Sequence, residues 1–461
     1  MGAEGAEGEV KQYTDLFCQR KLSFKRAALF VFFHYLGIGL VQGYFVSIQF
    51  NLQSTGAGLA AQSTLSLATY PYSFKFLISP LLDRFYVGKL GRSKTYIIIG
   101  GLVIATTFSF LGPTVKGMVD KAQVVPITLL FGIINIMVCV VQIAGEAWIL
   151  TMFSKEEKTK ASTFLSIGQS FGVILGYNIF TPLNDQEWLN NNIFTENHIS
   201  GPLVTHTMFC LIVAALYFFA ITVNLLFISE EKILDKKAKD ICKILAIMPR
   251  HITNSHMRKF VMYIFACRFL YFMIDFSLDL RLIKNGYLNL SRSTVSNIDT
   301  AIYPIVFSLS FCTIFFLKKG QLIRCFHLLM FVVVLSGTFK FLNVLNLEHN
   351  RDHDTAIIAR IAYGIFQGMD FTTLFLMSFF NTIVNKNFGN TGITCLIALM
   401  NQTGSLSRTI GLTLSAHFHY ETFVAICLVG QATILVLLFP YALFLDKKDS
   451  KLYTSCSYHQ V

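Results

Sequence analysis

The sequence predicts an all-α membrane protein of twelve transmembrane helices arranged as two six-helix bundles, and three observations lead there. Hydrophobic residues make up 54% of the 461 and charged residues only 14%, whereas soluble domains are about a quarter charged. The apolar residues gather into runs of the roughly 20 residues that a helix needs to cross a bilayer. Lys and Arg, finally, concentrate in alternate loops, the asymmetry that orients a membrane chain.

The runs lie near 27–50, 61–82, 95–113, 124–150, 161–182, 203–228, 259–283, 295–317, 322–345, 355–384, 391–415 and 420–445. If both termini share one side, that side holds Arg20 to Arg26, the Arg84 to Lys94 cluster, Lys155 to Lys160, the run from Lys232 to Lys259, Lys318, Lys319, Arg324, Lys386 and Lys447 to Lys451. The other side keeps Lys116, Lys121, Lys284, Arg292 and Arg351. The termini are therefore expected in the cytoplasm and the number of spans is even. A net charge of +12 is then a topology signal, and no nucleic-acid partner is expected. The expected division is a cytoplasmic tail (1–26), a first bundle (27–229), a cytoplasmic linker (230–258), a second bundle (259–445) and a tail (446–461).

Taken in order, span one follows basic residues and has no small-residue cleavage pattern, so it is read as an uncleaved anchor. Its His34 is isolated and is expected to be packed or hydrogen-bonded, as is His327 in span nine. Span two buries Lys75 in an apolar run and ends in the charged loop with Asp83, Arg84, Arg92 and Lys94. Span four spaces Asn135, Cys139, Gln142 and Glu146 by four, three and four residues, which places them on one stripe of a helix. Span five repeats Gly168, Gly172 and Gly176 every fourth residue, a pattern of close helix packing, while Gln169 and Ser170 beside them can present polar atoms to a cavity.

Span seven sets Arg268, Asp275 and Asp279 on one face. Two carboxylates four residues apart repel, so one of them is a candidate for proton coupling. Span ten repeats the span-four pattern with Arg360, Tyr363, Gln367 and Asp370, and Glu146 and Asp370 join the proton-coupling candidates. Within the spans six cations (Lys75, Arg268, Arg281, Lys340, Arg360, Arg408) face four carboxylates (Glu146, Asp275, Asp279, Asp370). Charge at that depth is costly unless it is paired or wet, and a surplus of cation suits an anionic small-molecule cargo. The ten cysteines show no CxxC; no disulfide framework, zinc site or cofactor is expected. Asn289 heads a glycosylation sequon close to a span end.

Six spans, a basic linker and six more spans form the layout of the major facilitator superfamily, in which two bundles rock about a midplane site. The stretch "SPLLDRFYVGKLGRSK" resembles that superfamily's signature between spans two and three, with six extra residues, "FYVGKL", between its Asp-Arg and Gly-Arg-x-Lys pieces. The resemblance makes Asp83, Arg84, Arg92 and Lys94 gating residues.

"YPYSFKFLISPLLDRFYVGKLGRSK" and "AGEAWILTMFSKEEKTKASTFLSIGQSFGVILGYNIF" resemble the acetyl-coenzyme A transporter family more narrowly. The matching residues of the second block are Glu146, Trp148, Leu150, Thr151, Met152, Ala161, Ser162, Thr163, Ser166, Gly168, Gln169, Ser170, Gly172 and Gly176. "GIGLVQGYFVSIQFNL" in span one is a fainter match. The chain departs from the family at Gln142, where an acid is usual, and at "SLSRTIG" in span eleven, where a Gly-Gly-Asn-Trp-Pro-like turn is usual.

The resemblance implies a transporter, not an enzyme, that moves acetyl-CoA or a related thioester into the endoplasmic reticulum by alternating access. It places Lys75 where the family also has Lys, and in-span charge and helical spacing add Asn135, Gln142, Glu146, Gln169, Arg268, Arg360, Tyr363, Gln367 and Arg408 to the expected lining of the cargo cavity. Arg suits phosphate because its planar fork binds two oxygens at once. Two alternatives stay open: a transporter of another anionic solute (a nucleotide, sugar or muropeptide), and a multi-pass acyltransferase built on His353 or His417.

Overall fold

The computed structural model describes residues 24–88, 90–153, 157–227, 255–281, 283, 291–297, 300, 322–350 and 389–447. Among the described residues there is no sheet; the chain is a set of helices. Before the linker come α1 (Phe24–Ser54), α2 (Leu59–Ser66), α3 (Tyr70–Arg84), α4 (Arg92–Asp120) and α5 (Val124–Met152). They are followed by α6 (Glu157–Val173), α7 (Phe180–Leu183), α8 (Gln186–Asn192) and α9 (His206–Phe227). After the linker come α10 (Ser255–Arg281), α11 (Leu322–Asn350), α12 (Gly389–His417) and α13 (Tyr420–Lys447). Predicted spans eight and ten, most of the linker, both tails and the Asn289 sequon lie wholly or mostly outside the described residues.

Eight stretches are long and apolar enough to cross a membrane: α1, α4, α5, the α6–α7 segment, α9, α10, α11 and α13. Predicted spans two and eleven are helical too, but they depart from a plain apolar rod for physical reasons. Span two breaks into α2 and α3 at a 3-10 turn, Leu67–Thr69, just ahead of Pro71, which stands in the first turn of α3, where its missing N–H costs no intrahelical bond. Span eleven, α12, is continuous over 29 residues but carries Asn401, Gln402, Thr403, Ser405, Ser407, Arg408 and Thr409. These two polar helices pack against each other, which keeps their hydrogen-bonding groups from lipid, where each unsatisfied one is costly.

Two hydrophobic cores form. One gathers Val31, Tyr44, Phe108, Phe131, Phe180 and Val213 from the helices before the linker. The other gathers Phe260, Ile274, Phe326, Val333, Leu412 and Leu435 from those after it, together with Phe50 and Tyr177 from the first half. On the outside, Phe110 is 79% and Leu437 72% exposed, as side chains that meet lipid are.

The glycine ladder of span five packs as its spacing predicts. A Cβ at Gly168, Gly172 or Gly176 would run into the backbone carbonyls of Phe32, Leu36 or Leu40 on α1, and Gly39 and Gly43 of α1 face α6 just as closely. What the spacing does not announce is a π-helical turn at Ile174–Ile179. It inserts a wider turn where the helix nears the second half.

Helix ends also differ from the predicted ones. Hydropathy ends span three near Gly112–Pro113, yet α4 runs on to Asp120. Its last turns are exposed and carry a Lys116–Asp120 pair at 2.7 Å, four residues apart, a spacing that supports a helix. For orientation, the end of the molecule holding the start of α1 together with Arg92 and Lys94 is termed the basic end. The opposite end, where α1 leads to α2 and α4 to α5, is the far end.

Candidate functional site

Lys75 on α3 is completely buried, and its ammonium donates to Glu146 Oε1 on α5 at 2.8 Å. The two residues are 71 positions apart in sequence, and the contact exists because α3 packs along α5. The other carboxylate oxygen, Glu146 Oε2, is buried with no hydrogen-bond partner among the described residues, and so is Gln142 Oε1 one turn earlier. On the same helix Asn135 accepts from the Tyr72 hydroxyl at 3.2 Å and donates to the Ala68 carbonyl at 2.7 Å. On α6, Gln169 donates to Gln42 of α1 at 2.8 Å. Spans one, two, four and five thus pair buried and half-buried polar groups with one another.

The second half has its own buried charge group. Lys340 of α11 is 1% exposed and lies between two carboxylates of α10, 3.3 Å from Asp275 and 2.7 Å from Asp279, while also donating to the Asp275 carbonyl at 3.0 Å. Tyr271 donates its hydroxyl to Asp275 at 3.1 Å. Repulsion between the two aspartates is offset by an ammonium that sequence spacing could not reveal, since it arrives from another helix. Three guanidiniums lie over rings: Arg268 on Phe272 (4.7 Å), Arg281 on Tyr420 (3.5 Å) and Arg408 on Phe276 (4.6 Å). Stacking of this kind offsets part of the desolvation of a cation.

The two halves meet along a seam of small hydroxyls. Ser63 bonds Thr413 at 2.7 Å, Ser66 bonds Thr409 at 2.6 Å and Thr69 bonds Ser405 at 3.3 Å. Each step is three or four residues, so α2 with its 3-10 turn runs antiparallel to α12 like a zipper. The seam ends at mid-depth, where Asn401 donates to the Tyr72 carbonyl at 3.4 Å. At the far end Asn178, carried by the π-helical turn, exchanges two 3.0 Å bonds with Ser296. There too Asp185 accepts from Ser293 at 2.6 Å and faces Arg292 at 3.8 Å. These contacts hold the halves together from the far end to mid-depth.

The loop after α3 is ordered around its extra residues. Leu90 and Gly91 donate to the Val87 carbonyl at 2.9 and 3.1 Å, and the Val87 amide donates to Thr95 at 3.2 Å. Gly91 caps α4 with a φ of 94°, a left-handed conformation open to glycine but strained for other residues. Lys94 donates to the Leu225 carbonyl at 3.4 Å, in the last turn of α9 where a cation complements the helix dipole. Arg92 begins α4, and Asp83 and Arg84 close α3, described in backbone only.

Arg360, Tyr363, Gln367 and Asp370 lie outside the described residues, as does His353. His34 and His327 are hydrogen-bonded to the carbonyls of Val141 (3.3 Å) and Leu435 (2.8 Å), as expected for packed imidazoles. His417 is exposed at the end of α12. Sequence reasoning missed Gln42, Tyr72, Lys340 as a bridge between aspartates, and the hydroxyl seam. The seam alone left a readable signal, hydroxyls every third or fourth residue in both span two and span eleven. Among the described residues no group of three or more His, Cys, Asp or Glu is placed to hold a metal ion.

A family model described as acetyl-coenzyme A transporter 1 matches residues 27–267. An uncharacterized membrane protein of Saccharomyces cerevisiae is 28% identical over 176 residues, covering 34% of this chain and 31% of that protein. An uncharacterized protein of Schizosaccharomyces pombe is 31% identical over 158 residues, covering 34% and 30%. The chain thus spans about a third of the length of these curated relatives. The crystal structure of the Escherichia coli fucose:proton symporter superposes with a TM-score of 0.57 at 12% identity, over 93% of this chain and all of that one. A D-xylose-proton symporter gives 0.56 at 14% identity, over 91% and 97%. At such identities the likeness is one of fold, and the fold is that of the major facilitator transporters.

Proposed function

The chain belongs to the acetyl-coenzyme A transporter family, and from that premise we propose that it carries acetyl-CoA, or a related CoA thioester, across an intracellular membrane by alternating access. The proposed frame is twelve helices in two six-helix bundles, with the linker and both termini in the cytoplasm and the endoplasmic reticulum as the membrane. The basic end is then cytoplasmic.

The observation that carries this reading is the surplus of cation over carboxylate among the described residues of the spans. Five cations (Lys75, Arg268, Arg281, Lys340, Arg408) and three carboxylates (Glu146, Asp275, Asp279) are described within the spans. Lys75 and Arg408 belong to the two helices that face each other across the seam. From the Thr69–Ser405 register and a rise of 1.5 Å per residue they stand roughly 14 Å apart along it. A CoA thioester carries phosphates at two places on its nucleotide, so two separated cations fit it better than one. Asn135, Gln142, Glu146, Gln169, Arg268 and, in the second half, Arg360, Tyr363 and Gln367 complete the proposed lining. Asp83, Arg84, Arg92 and Lys94 are the proposed gating residues, while Glu146, Asp275, Asp279 and Asp370 are the carboxylates available for proton coupling.

Gln142 and "SLSRTIG" depart from the family at cavity-facing positions, and they favour a second reading in which the cargo is another anionic solute such as a nucleotide. One experiment separates the two. Purified protein in liposomes is expected to accumulate labelled acetyl-CoA, with unlabelled CoA thioesters competing better than ATP, sugar phosphates or muropeptides. Uptake no greater than in protein-free liposomes would count against both; stronger competition by ATP would favour the second.

A further inference from the structure

Lys75 has a buried, incomplete set of partners. An ammonium offers three N–H donors, yet one bond, to Glu146 Oε1, is described for Lys75. Around it Glu146 Oε2 and Gln142 Oε1 are buried acceptors without a described donor, and Gln142 is 8% exposed. Lys340 differs, because two carboxylates and a main-chain carbonyl already surround it. An incoming anion would have to strip both aspartates from Lys340 but only one oxygen from Lys75. Lys75 also lies one turn beyond the Tyr72–Asn401 contact, on the helix that packs against α12 of the other half.

This inference rests on the anionic-cargo reading above. We propose that a phosphate of the cargo takes Lys75 from Glu146 and that Glu146, as it lets go, takes up one proton from the bulk solution. The balance is simple. The Lys75 ammonium keeps its protons and its N–H bond moves from Glu146 Oε1 to a phosphate oxygen; the proton comes from the buffer acid of the bulk solution, which is left as its conjugate base, and binds a Glu146 carboxylate oxygen. The physical reason is that a carboxylate shielded from water that loses its described counter-ion, with a second anion arriving beside it, is disfavoured in the ionised form. Binding and protonation thereby become one event, and linkage makes the coupling reciprocal.

Other titratable groups face Glu146. Tyr35 on α1 and Cys139 on its own helix lie within its field, Lys75 faces it from α3, and the His34 ring of α1 packs on Gly145 beside it. His34 is the imidazole nearest to Glu146 in this group, so its variant serves as the control.

The test is calorimetric titration of CoA into purified full-length protein at pH 7, in two buffers of different ionisation enthalpy, which counts protons taken up per CoA bound. Wild type is expected to take up close to one proton more than Glu146→Gln, the subtraction removing the contribution of CoA's own phosphates. His34→Gln is expected to match wild type. Raising the pH by one unit then weakens wild-type binding by up to tenfold beyond any change in Glu146→Gln. Equal proton counts in wild type and Glu146→Gln would overturn the inference while leaving the cargo reading intact, and so would loss of the extra proton in His34→Gln alone. No CoA binding to folded wild type removes the cargo reading and this inference with it. A second readout needs no cargo: Lys75→Ala is expected to show a protonated-carboxyl infrared band that disappears in Lys75→Ala/Glu146→Gln, and a spectrum without that band contradicts the proposal.

Discussion

Lys75 concentrates the energetics of the site in one side chain. Removing one partner of a buried ion pair leaves the other charge unpaired, which costs roughly 3–5 kcal/mol, whereas replacing both with apolar groups of similar size is close to neutral. Lys75→Met is therefore expected to lower the thermal midpoint in detergent sharply, and Lys75→Met/Glu146→Leu to regain most of it while transport stays lost. A double variant as unstable as the single one would show that the pair is not the coupled unit described here. At this scale the sequence was half legible. Lys75, Glu146, Asp275 and Asp279 stand out because charge in a span is costly, but their partners do not. Lys75 meets Glu146 across 71 residues and Lys340 meets Asp275 across 65. Spacing rules work only within one helix, so such pairings wait for tertiary structure.

Among the elements, α12 tests how tightly the helices must approach. Its Gly411 faces the backbone of Met273 on α10, where a Cβ would collide with the carbonyl, whereas nothing lies within 4 Å of a Cβ at Gly404. Gly411→Ala is expected to destabilise by about 1–3 kcal/mol through overpacking. Gly404→Ala is expected to stabilise by up to about 1 kcal/mol through helix propensity. Melting both variants in one detergent checks the pair, and equal shifts would refute the close α10–α12 contact. The glycine ladder of span five was legible because its four-residue period is itself the packing signature. The break in span two, the π-helical turn and the long end of α4 were not. The break is marked only by Pro71 within a run that hydropathy reads as continuous, the π-helical turn meets its partner in the other half, and the end of α4 carries an exposed ion pair that hydropathy does not register.

For the whole molecule, the membrane class and the alternation of basic loops could be read directly from composition, because lipid imposes apolar length and the positive-inside bias on any chain. The seam could not, since it depends on how the halves approach. It is made largely of neutral hydroxyl bonds, each worth about 1 kcal/mol net, an arrangement that can close and part within the few kcal/mol that separate transporter conformations. That reversibility is the central claim of the account, and one measurement addresses it directly. Ser63→Cys/Thr413→Cys places two thiols where hydroxyls stand 2.7 Å apart. The variant is reconstituted in liposomes and uptake of labelled acetyl-CoA is followed before oxidation, after oxidation and after reduction. The account predicts uptake in the reduced protein, arrest once the crosslink forms, and recovery with reductant; undiminished uptake by fully crosslinked protein would contradict it.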